Sequence, residues 1–171
     1  ISKEELLVLK ENGVDRISIN PQTMNDKTLK VIGRHHSIQD IEKAYKIAKE
    51  VGFRTINMDI IVGLPNEGLD KLKNTLEHIE RFNPENLTVH TLAIKRSSKL
   101  KENIDEYNLT REKLANDMLN LTRAHAEKMR MYPYYMYRQK YMVGNLENIG
   151  YCKKGHECIY NIQIMEEKQS I

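Results

Sequence analysis

The chain has little of what builds secreted or membrane-bound proteins. Its 171 residues include only two cysteines, Cys152 and Cys158, which are too few for a scaffold held together by disulfides. No apolar run reaches the ~18 residues that a membrane-spanning helix needs, and the N-terminus lacks the pattern of a signal peptide. These absences predict a cytoplasmic protein.

A strong charge bias and the familiar nucleotide motifs are missing as well. The 27 Lys and Arg residues nearly balance the 24 Asp and Glu residues, so neither nucleic acid nor a membrane surface is favoured as a partner. There is no GxxxxGK[ST] phosphate loop, no GxGxxG after a strand and no nucleophile elbow. Phosphate-loop, dinucleotide-binding and serine-hydrolase classes are therefore not indicated.

What is present, up to about residue 93, is an alternation of strands and helices. The segments DRISINP, FRTINMDIIVG and NLTVHTLAI read as strands. Helices are predicted near residues 3–12, over 37–52 with Ser37 as N-cap and Gly52 at its end, and in LDKLKNTLEHIERF. Strands joined by helices at this spacing predict right-handed crossovers and a parallel sheet.

The two faces of the predicted strands differ in polarity. Alternate positions are apolar: Ile17, Ile19, Pro21, Met58, Ile60 and Val62. The positions between them are mostly polar: Arg16, Ser18, Asn20, Gln22, Asn57 and Asp59. Because both faces of a parallel sheet are normally apolar, the polar row favours a barrel, or part of one, whose lumen holds a polar ligand. An exposed sheet face is the alternative.

The remainder of the chain has a different sequence pattern. A long helix is predicted over 109–131 with Thr110 as its cap and His125 as an ordinary core or surface residue, followed by strands in YPYYMYRQKYMVGN and ECIYNIQIM. Seven of the nine tyrosines fall between residues 132 and 160, which suits a planar ligand or, more simply, a sheet edge. The segment CKKGHEC offers three potential ligands where structural zinc needs four, so no metal site is predicted.

Polar residues at the ends of predicted strands carry the strongest functional signal. In β/α barrels that rim is where active sites are built. A carboxylate such as Asp59 can accept both hydroxyls of a ribose, and Arg34 can bind a carboxylate with its forked donors. A ribose joined to an amino-acid carboxylate describes S-adenosylmethionine.

The segments GVDRISINPQTMNDKTLKVIGRHH and INMDIIVGLPNE resemble the oxygen-independent coproporphyrinogen III oxidases, or coproporphyrinogen dehydrogenases, which are radical S-adenosylmethionine (SAM) enzymes of haem synthesis. The tail resembles a variant branch found in anaerobic Firmicutes-type bacteria. The positions that match the family pattern are Gly13, Arg16, Ser18, Gln22, Asn25, Arg34, Asp59, Gly63, Leu64 and Pro65. Asn20-Pro21 departs from that pattern.

The resemblance implies that Gln22, Arg34, Asp59 and Ala93 bind S-adenosylmethionine, with Asp59 on the ribose. It also implies a [4Fe–4S] cluster, but the Cys-x-x-x-Cys-x-x-Cys run that ligates it is absent from this chain. The chain opens with Ile rather than Met and stops soon after an apolar stretch. We therefore expect an inactive C-terminal piece of a longer protein, cut at both ends, with the cluster ligands outside it.

The implied fold is α/β. Residues 1–95 are expected to form the C-terminal part of a radical SAM β/α barrel, and residues 96–171 a long helix plus a β-rich segment that completes the barrel and substrate region. The implied function of the parent is oxidative decarboxylation of two propionates of coproporphyrinogen III, giving protoporphyrinogen IX. A haem-binding chaperone of the same superfamily, or a radical enzyme with another substrate, is the alternative.

The partners follow from that function. A tetrapyrrole is the expected substrate, with Arg138 and Lys140 as candidates for binding its carboxylates. An electron donor would serve the cluster. Exposed sheet edges invite pairing between copies, so the fragment is also expected to self-associate.

Overall fold

A computed structural model of the chain describes residues 2–92, 112–137 and 147–165. Three sequence-predicted site residues, Ala93, Arg138 and Lys140, lie outside these ranges, as do Thr110 and the predicted boundary at residue 95. The division into two parts therefore stays a prediction.

The first half of the chain contains four helices and three strands. They are α1 (Lys3–Glu11), β1 (Arg16–Ser18), α2 (Asp26–Val31), α3 (Ile38–Val51), β2 (Thr55–Val62), α4 (Leu69–Phe82) and β3 (Asn86–Thr91). In the second half the described elements are α5 (Glu112–Lys128), β4 (Tyr132–Tyr137), β5 (Asn148–Cys152) and α6 (Ile159–Met165).

The strands form one five-stranded sheet in the order β1-β2-β3-β5-β4. β1, β2 and β3 run parallel, with Ser18 opposite Asn57 and Asp59 opposite Thr88. This confirms the predicted parallel sheet. β5 then pairs antiparallel with β3, and β4 antiparallel with β5. The tyrosine-rich strand is thus attached to the parallel strands through β5.

Local sequence signals set the ends of the helices. Ser37 caps α3 in a reciprocal arrangement with Asp40, and Gly52 ends that helix in the left-handed conformation at φ 84°. Such caps satisfy backbone groups that have no partner within the helix. α3 and α4 therefore begin and end where the sequence predicts.

The apolar row of the sheet forms the core against the helices. Met58, Ile60 and Val62 are at most 1% exposed, and they belong to the same cluster as Leu76 of α4 and Met118 of α5. Apolar burial of this kind is the main favourable term in folding. The predicted apolar face of the strands is therefore confirmed.

The predicted strand ECIYNIQIM is wrong. Residues Ile159–Met165 form α6, and Asn161 on that helix donates to the Tyr134 hydroxyl at 3.2 Å. A short apolar run cannot be assigned to helix or strand from periodicity alone. α2 and β5 were not predicted from the sequence. Within the described ranges, no helix is long and apolar enough to cross a membrane.

Candidate functional site

The face of the sheet opposite the helices carries a connected set of polar side chains. Its members are Ser18, Asn57, Asp59, Thr88, His90, Tyr135 and Tyr137. Asn57 donates to Asp59 Oδ1 at 2.6 Å and to Ser18 Oγ at 3.3 Å. Thr88 donates to Asn57 Oδ1 at 3.1 Å. The predicted polar face thus exists, and hydrogen bonds link its strands.

Asp59 lies near the middle of this face and remains accessible. Its side chain is 18% exposed, and Oδ2 is 3.5 Å from His90 Nε2. Asn57 occupies one acceptor site on Oδ1. Because each carboxylate oxygen has two lone pairs, Asp59 retains the capacity to accept further hydrogen bonds from a polar ligand.

Two tyrosines from β4 lie beside this carboxylate. The rings of Tyr135 and Tyr137 stack with centroids 6.2 Å apart and planes 10° from parallel. The Tyr135 hydroxyl is 3.3 Å from Thr88 Oγ1, and the Tyr137 hydroxyl is 3.1 Å from His90 Nδ1. Burial raises the pKa of Tyr135 to about 12. Burial and then the charge of Asp59 also raise the pKa of Tyr137, so both phenols stay protonated at neutral pH.

Gly150 on β5 makes room for the Tyr135 ring. A Cβ built at Gly150 would collide with the ring atoms of Tyr135. A side chain at position 150 would therefore push Tyr135 away from Thr88.

We predict that Gly150→Ala lowers the free energy of unfolding by about 1–3 kcal/mol, as overpacking typically does. Gly68→Ala is the control, because no atom lies within 4 Å of a Cβ built there. Urea unfolding of both variants measures the difference. Equal midpoints for the two would contradict the steric role of Gly150.

Gln22 is tied to Asp59 through the backbone. Its N–H donates to the Asp59 carbonyl at 2.9 Å, and Ile61 N–H donates to the Gln22 carbonyl at 2.9 Å. Gln22 is 8% exposed and adopts φ 67°. A left-handed backbone at a residue other than glycine costs on the order of 1–3 kcal/mol and clusters at ligand sites. The structure therefore brings these two predicted site residues together.

Glu67 is a buried carboxyl that sequence reasoning missed. It is 5% exposed, and Thr23 donates to its Oε1 at 2.7 Å. This bond joins the loop after β2 to the segment that carries Gln22. Burial raises the pKa of Glu67 above its ordinary value.

The raised pKa makes the stability contribution of Glu67 depend on pH. That contribution is present at low pH and is lost as pH rises through the folded-state pKa. The side chain of the Glu67→Gln variant cannot ionise. The free energy of unfolding of this variant, relative to that of the wild type, is therefore expected to increase from about pH 4 to about pH 8. Urea unfolding at the two pH values tests this, with the exposed Glu77→Gln as control. The same pH response in both variants would contradict it.

Comparison with known proteins connects this geometry to a family. Residues 1–79 match the Radical SAM superfamily. Over all 171 residues, the chain is 44% identical to the oxygen-independent coproporphyrinogen-III oxidase-like protein HemZ of Bacillus subtilis. The chain thus carries the sequence pattern of the radical SAM superfamily over its first 79 residues. The resemblance found from the sequence motifs is thereby confirmed.

Two further relatives define how far the likeness extends. Heme chaperone HemW of Bacillus subtilis is 35% identical over 94 residues, which are 55% of this chain and 25% of HemW. The coproporphyrinogen III oxidase HemN of Escherichia coli, a radical SAM enzyme, aligns with TM-score 0.69 and 20% identity over 97% of this chain and 35% of that structure. This likeness confirms the predicted fold, a partial α/β barrel of radical SAM type. The chain spans 34% of the length of HemZ.

The surroundings of Arg34 differ from those of Asp59. Arg34 follows α2 and is exposed, and its backbone N–H donates to the Leu29 carbonyl at 2.9 Å. Among the described residues, no hydrogen bond or ion pair of its guanidinium is found. The side chain is therefore available to a ligand but is not held in place by the protein.

A cavity of about 420 Å³ adjoins the site along β1 and α3. Its polar lining comprises Ser18, Asn20, His36, Asp40 and Lys43. Ser18 connects it to the polar face through Asn57, whereas Asp59 and Gln22 do not line it. This cavity was not predicted from the sequence.

The cysteines of this chain are too few to hold an iron–sulfur cluster. Such clusters are held by Cys thiolates, and this chain has two cysteines in all. Cys152 is buried, which raises its pKa to about 11. His156, between the cysteines, lies 2.8 Å from Thr55 Oγ1 through Nδ1. In the described ranges, no group of three or more His, Cys, Asp and Glu residues is placed to hold a metal ion.

Proposed function

We propose that this chain forms part of a radical SAM enzyme that oxidatively decarboxylates coproporphyrinogen III to protoporphyrinogen IX in haem biosynthesis. The observation that carries the proposal is the accessible Asp59 carboxylate on the polar face of a parallel sheet. Asn57 satisfies one acceptor site of this carboxylate, and a ligand with hydroxyl groups would satisfy the acceptor sites that remain.

Within this proposal the chain contributes residues to both the ribose end and the methionine end of an S-adenosylmethionine site. Asp59 accepts the ribose hydroxyls, and Gln22, backbone-bonded to Asp59, lines the same end. Arg34 binds the methionine carboxylate with its forked donors, and Ala93 contributes packing. S-adenosylmethionine, bound beside a [4Fe–4S] cluster with ligands outside this chain, supplies the radical chemistry that cofactors bring to such enzymes.

The second half of the chain contributes to the tetrapyrrole site. Tyr135 and Tyr137 offer two stacked rings beside the proposed cofactor site, and aromatic faces suit a large planar ligand. Arg138 and Lys140, the next cations in the sequence, bind propionate carboxylates. An electron donor reduces the cluster. Self-association through β1 and β4, the outer strands of the described sheet, stays a prediction.

The extent of the HemZ match favours the oxidase over the chaperone. HemZ matches the whole chain, including the tyrosine-rich segment. HemW matches 55% of the chain. A function that depends on the second half of the chain is therefore better supported by the oxidase-like relative. Haem binding without turnover is the second candidate because HemW is named a heme chaperone.

The deciding experiment uses the full-length protein with its cluster reconstituted under anaerobic conditions. We expect cleavage of S-adenosylmethionine coupled to loss of coproporphyrinogen III and formation of protoporphyrinogen IX, followed by chromatography. Retention of haem with no conversion of coproporphyrinogen III would replace the oxidase by the chaperone. Cleavage of S-adenosylmethionine with neither haem retention nor porphyrinogen conversion would indicate another substrate.

A further inference from the structure

Three side chains from three different strands form a row of polar contacts that ends on Asp59. The Tyr137 hydroxyl of β4 lies 3.1 Å from His90 Nδ1 of β3. The opposite ring nitrogen, Nε2, lies 3.5 Å from Asp59 Oδ2 of β2. The Tyr137 and His90 rings meet edge to face at 73°, with centroids 6.4 Å apart. A residue of the tyrosine-rich strand is thus connected to the carboxylate through one imidazole.

The Asp59 carboxylate, which only accepts hydrogen bonds, favours the imidazole form with its hydrogen on Nε2, and the Tyr137 phenol can complement that form by donating to Nδ1. Burial and the charge of Asp59 raise the pKa of that phenol, so it carries its proton at neutral pH and can donate to Nδ1. A neutral imidazole that accepts at Nδ1 has its own hydrogen on Nε2. That N–H then faces Asp59. The other tautomer would aim a nitrogen lone pair at the carboxylate.

The surroundings of the histidine distinguish this row of contacts from a second histidine–carboxylate pair in the same protein. His125 and Glu80 lie 2.5 Å apart between α5 and α4, and their side chains are 4% and 28% exposed. The His90 and Asp59 side chains are 28% and 18% exposed on the polar face. The His125 imidazole is buried between two helices, whereas the His90 imidazole is accessible on the face from which a ligand would approach.

We propose that His90 and Tyr137 are positioning residues for Asp59: Tyr137 fixes the imidazole so that Nε2–H faces Oδ2, and the carboxylate is held ready to accept ligand hydroxyls. This inference rests on the proposed function, in which Asp59 binds the ribose of S-adenosylmethionine. Neither residue touches the cofactor itself. The strand proposed to face the tetrapyrrole therefore also sets the affinity of the cofactor site.

The test is the dissociation constant of S-adenosylmethionine, measured by calorimetry on the reconstituted full-length protein. Tyr137→Phe and His90→Phe are each expected to weaken binding by about three- to tenfold, the range for a lost hydrogen bond. The double variant is expected to bind no more weakly than His90→Phe, because both changes break the same row of contacts. His90→Gln keeps an N–H donor near the position of Nε2 and is expected to retain wild-type affinity within about twofold.

Tyr134→Phe is the matched control. It removes a hydroxyl from the same strand, but that hydroxyl accepts from Asn161 of α6 and belongs to no contact with Asp59. Its affinity should equal that of the wild type, and thermal unfolding of every variant checks that each is folded. A His90→Gln variant that binds as weakly as His90→Phe would show that His90 acts through packing and overturn the inference.

The remaining outcomes separate this inference from the function on which it rests. Loss of binding in Asp59→Asn with wild-type affinity in folded Tyr137→Phe would overturn the positioning role and leave the cofactor site standing. Additive losses in the double variant would also overturn it. Wild-type affinity in Asp59→Asn would contradict the proposed function itself.

Discussion

Replacing Asp59 by Asn is expected to weaken S-adenosylmethionine binding to the full-length protein by about 100-fold, since hydrogen bonds to a charged group contribute about 1.5–3 kcal/mol each. The substitution removes the charge and one acceptor. Asn57 Nδ2 already donates to Oδ1 at 2.6 Å, so the new amide must keep its oxygen on that side. Its NH₂ group then faces His90 Nε2 at the position where Oδ2 stood 3.5 Å away. Two donors are thereby opposed, and the ribose loses its acceptor.

Calorimetry on the reconstituted protein measures this loss, and Asp117→Asn is the matched control. Asp117 lies on an exposed position of α5, so the same chemical change there should leave the dissociation constant unchanged. The absorbance of the cluster should be equal in both variants, which excludes a failure to assemble. Affinity within about twofold of the wild type in Asp59→Asn would mean that the carboxylate does not meet the cofactor.

The existence of the polar face was predictable, because a strand alternates its side chains strictly between two faces. Asn57 and Asp59 sit two positions apart, so their shared face follows from the sequence alone. The pairing of β1, β2 and β3 followed from the two helical connections. Helix ends were predictable where a capping residue marks them, as Ser37 and Gly52 do for α3.

Two neighbours of Asp59, His90 and Tyr137, were not predicted. His90 shares a face with Thr88 by parity, which was the one available signal, and sequence reasoning passed over it. Tyr137 contacts His90 across β5, which lies between β3 and β4 in the sheet. Nothing local in the sequence specifies that order, since antiparallel partners are chosen by tertiary packing. Tertiary packing also decides the segment Ile159–Met165: its apolar residues predict a strand, but it forms a helix whose Asn161 contacts Tyr134 of β4.

Replacing Leu76 by Ala is expected to lower the free energy of unfolding by about 2–5 kcal/mol, the usual cost of a large cavity in a core. Leu76 is fully buried on α4 at 0% exposure, in the cluster that includes Met58 and Ile60 of β2. Those two residues flank Asp59 in sequence and point to the opposite face. The apolar contacts of α4 therefore support the strand from behind while the carboxylate faces the ligand side.

Leu69→Ala is the control for this substitution because Leu69 lies on the same helix and is 37% exposed. It removes the same three carbon atoms without opening a buried cavity, so its free energy of unfolding should fall by less than about 1 kcal/mol. Urea unfolding compares the two. If both variants lost the same stability, the apolar row would not be the core that holds β2, and the contrast between its faces would lose its physical basis. Folded Leu76→Ala should still bind S-adenosylmethionine with near wild-type affinity, because the substitution acts on the support and leaves the polar face unchanged.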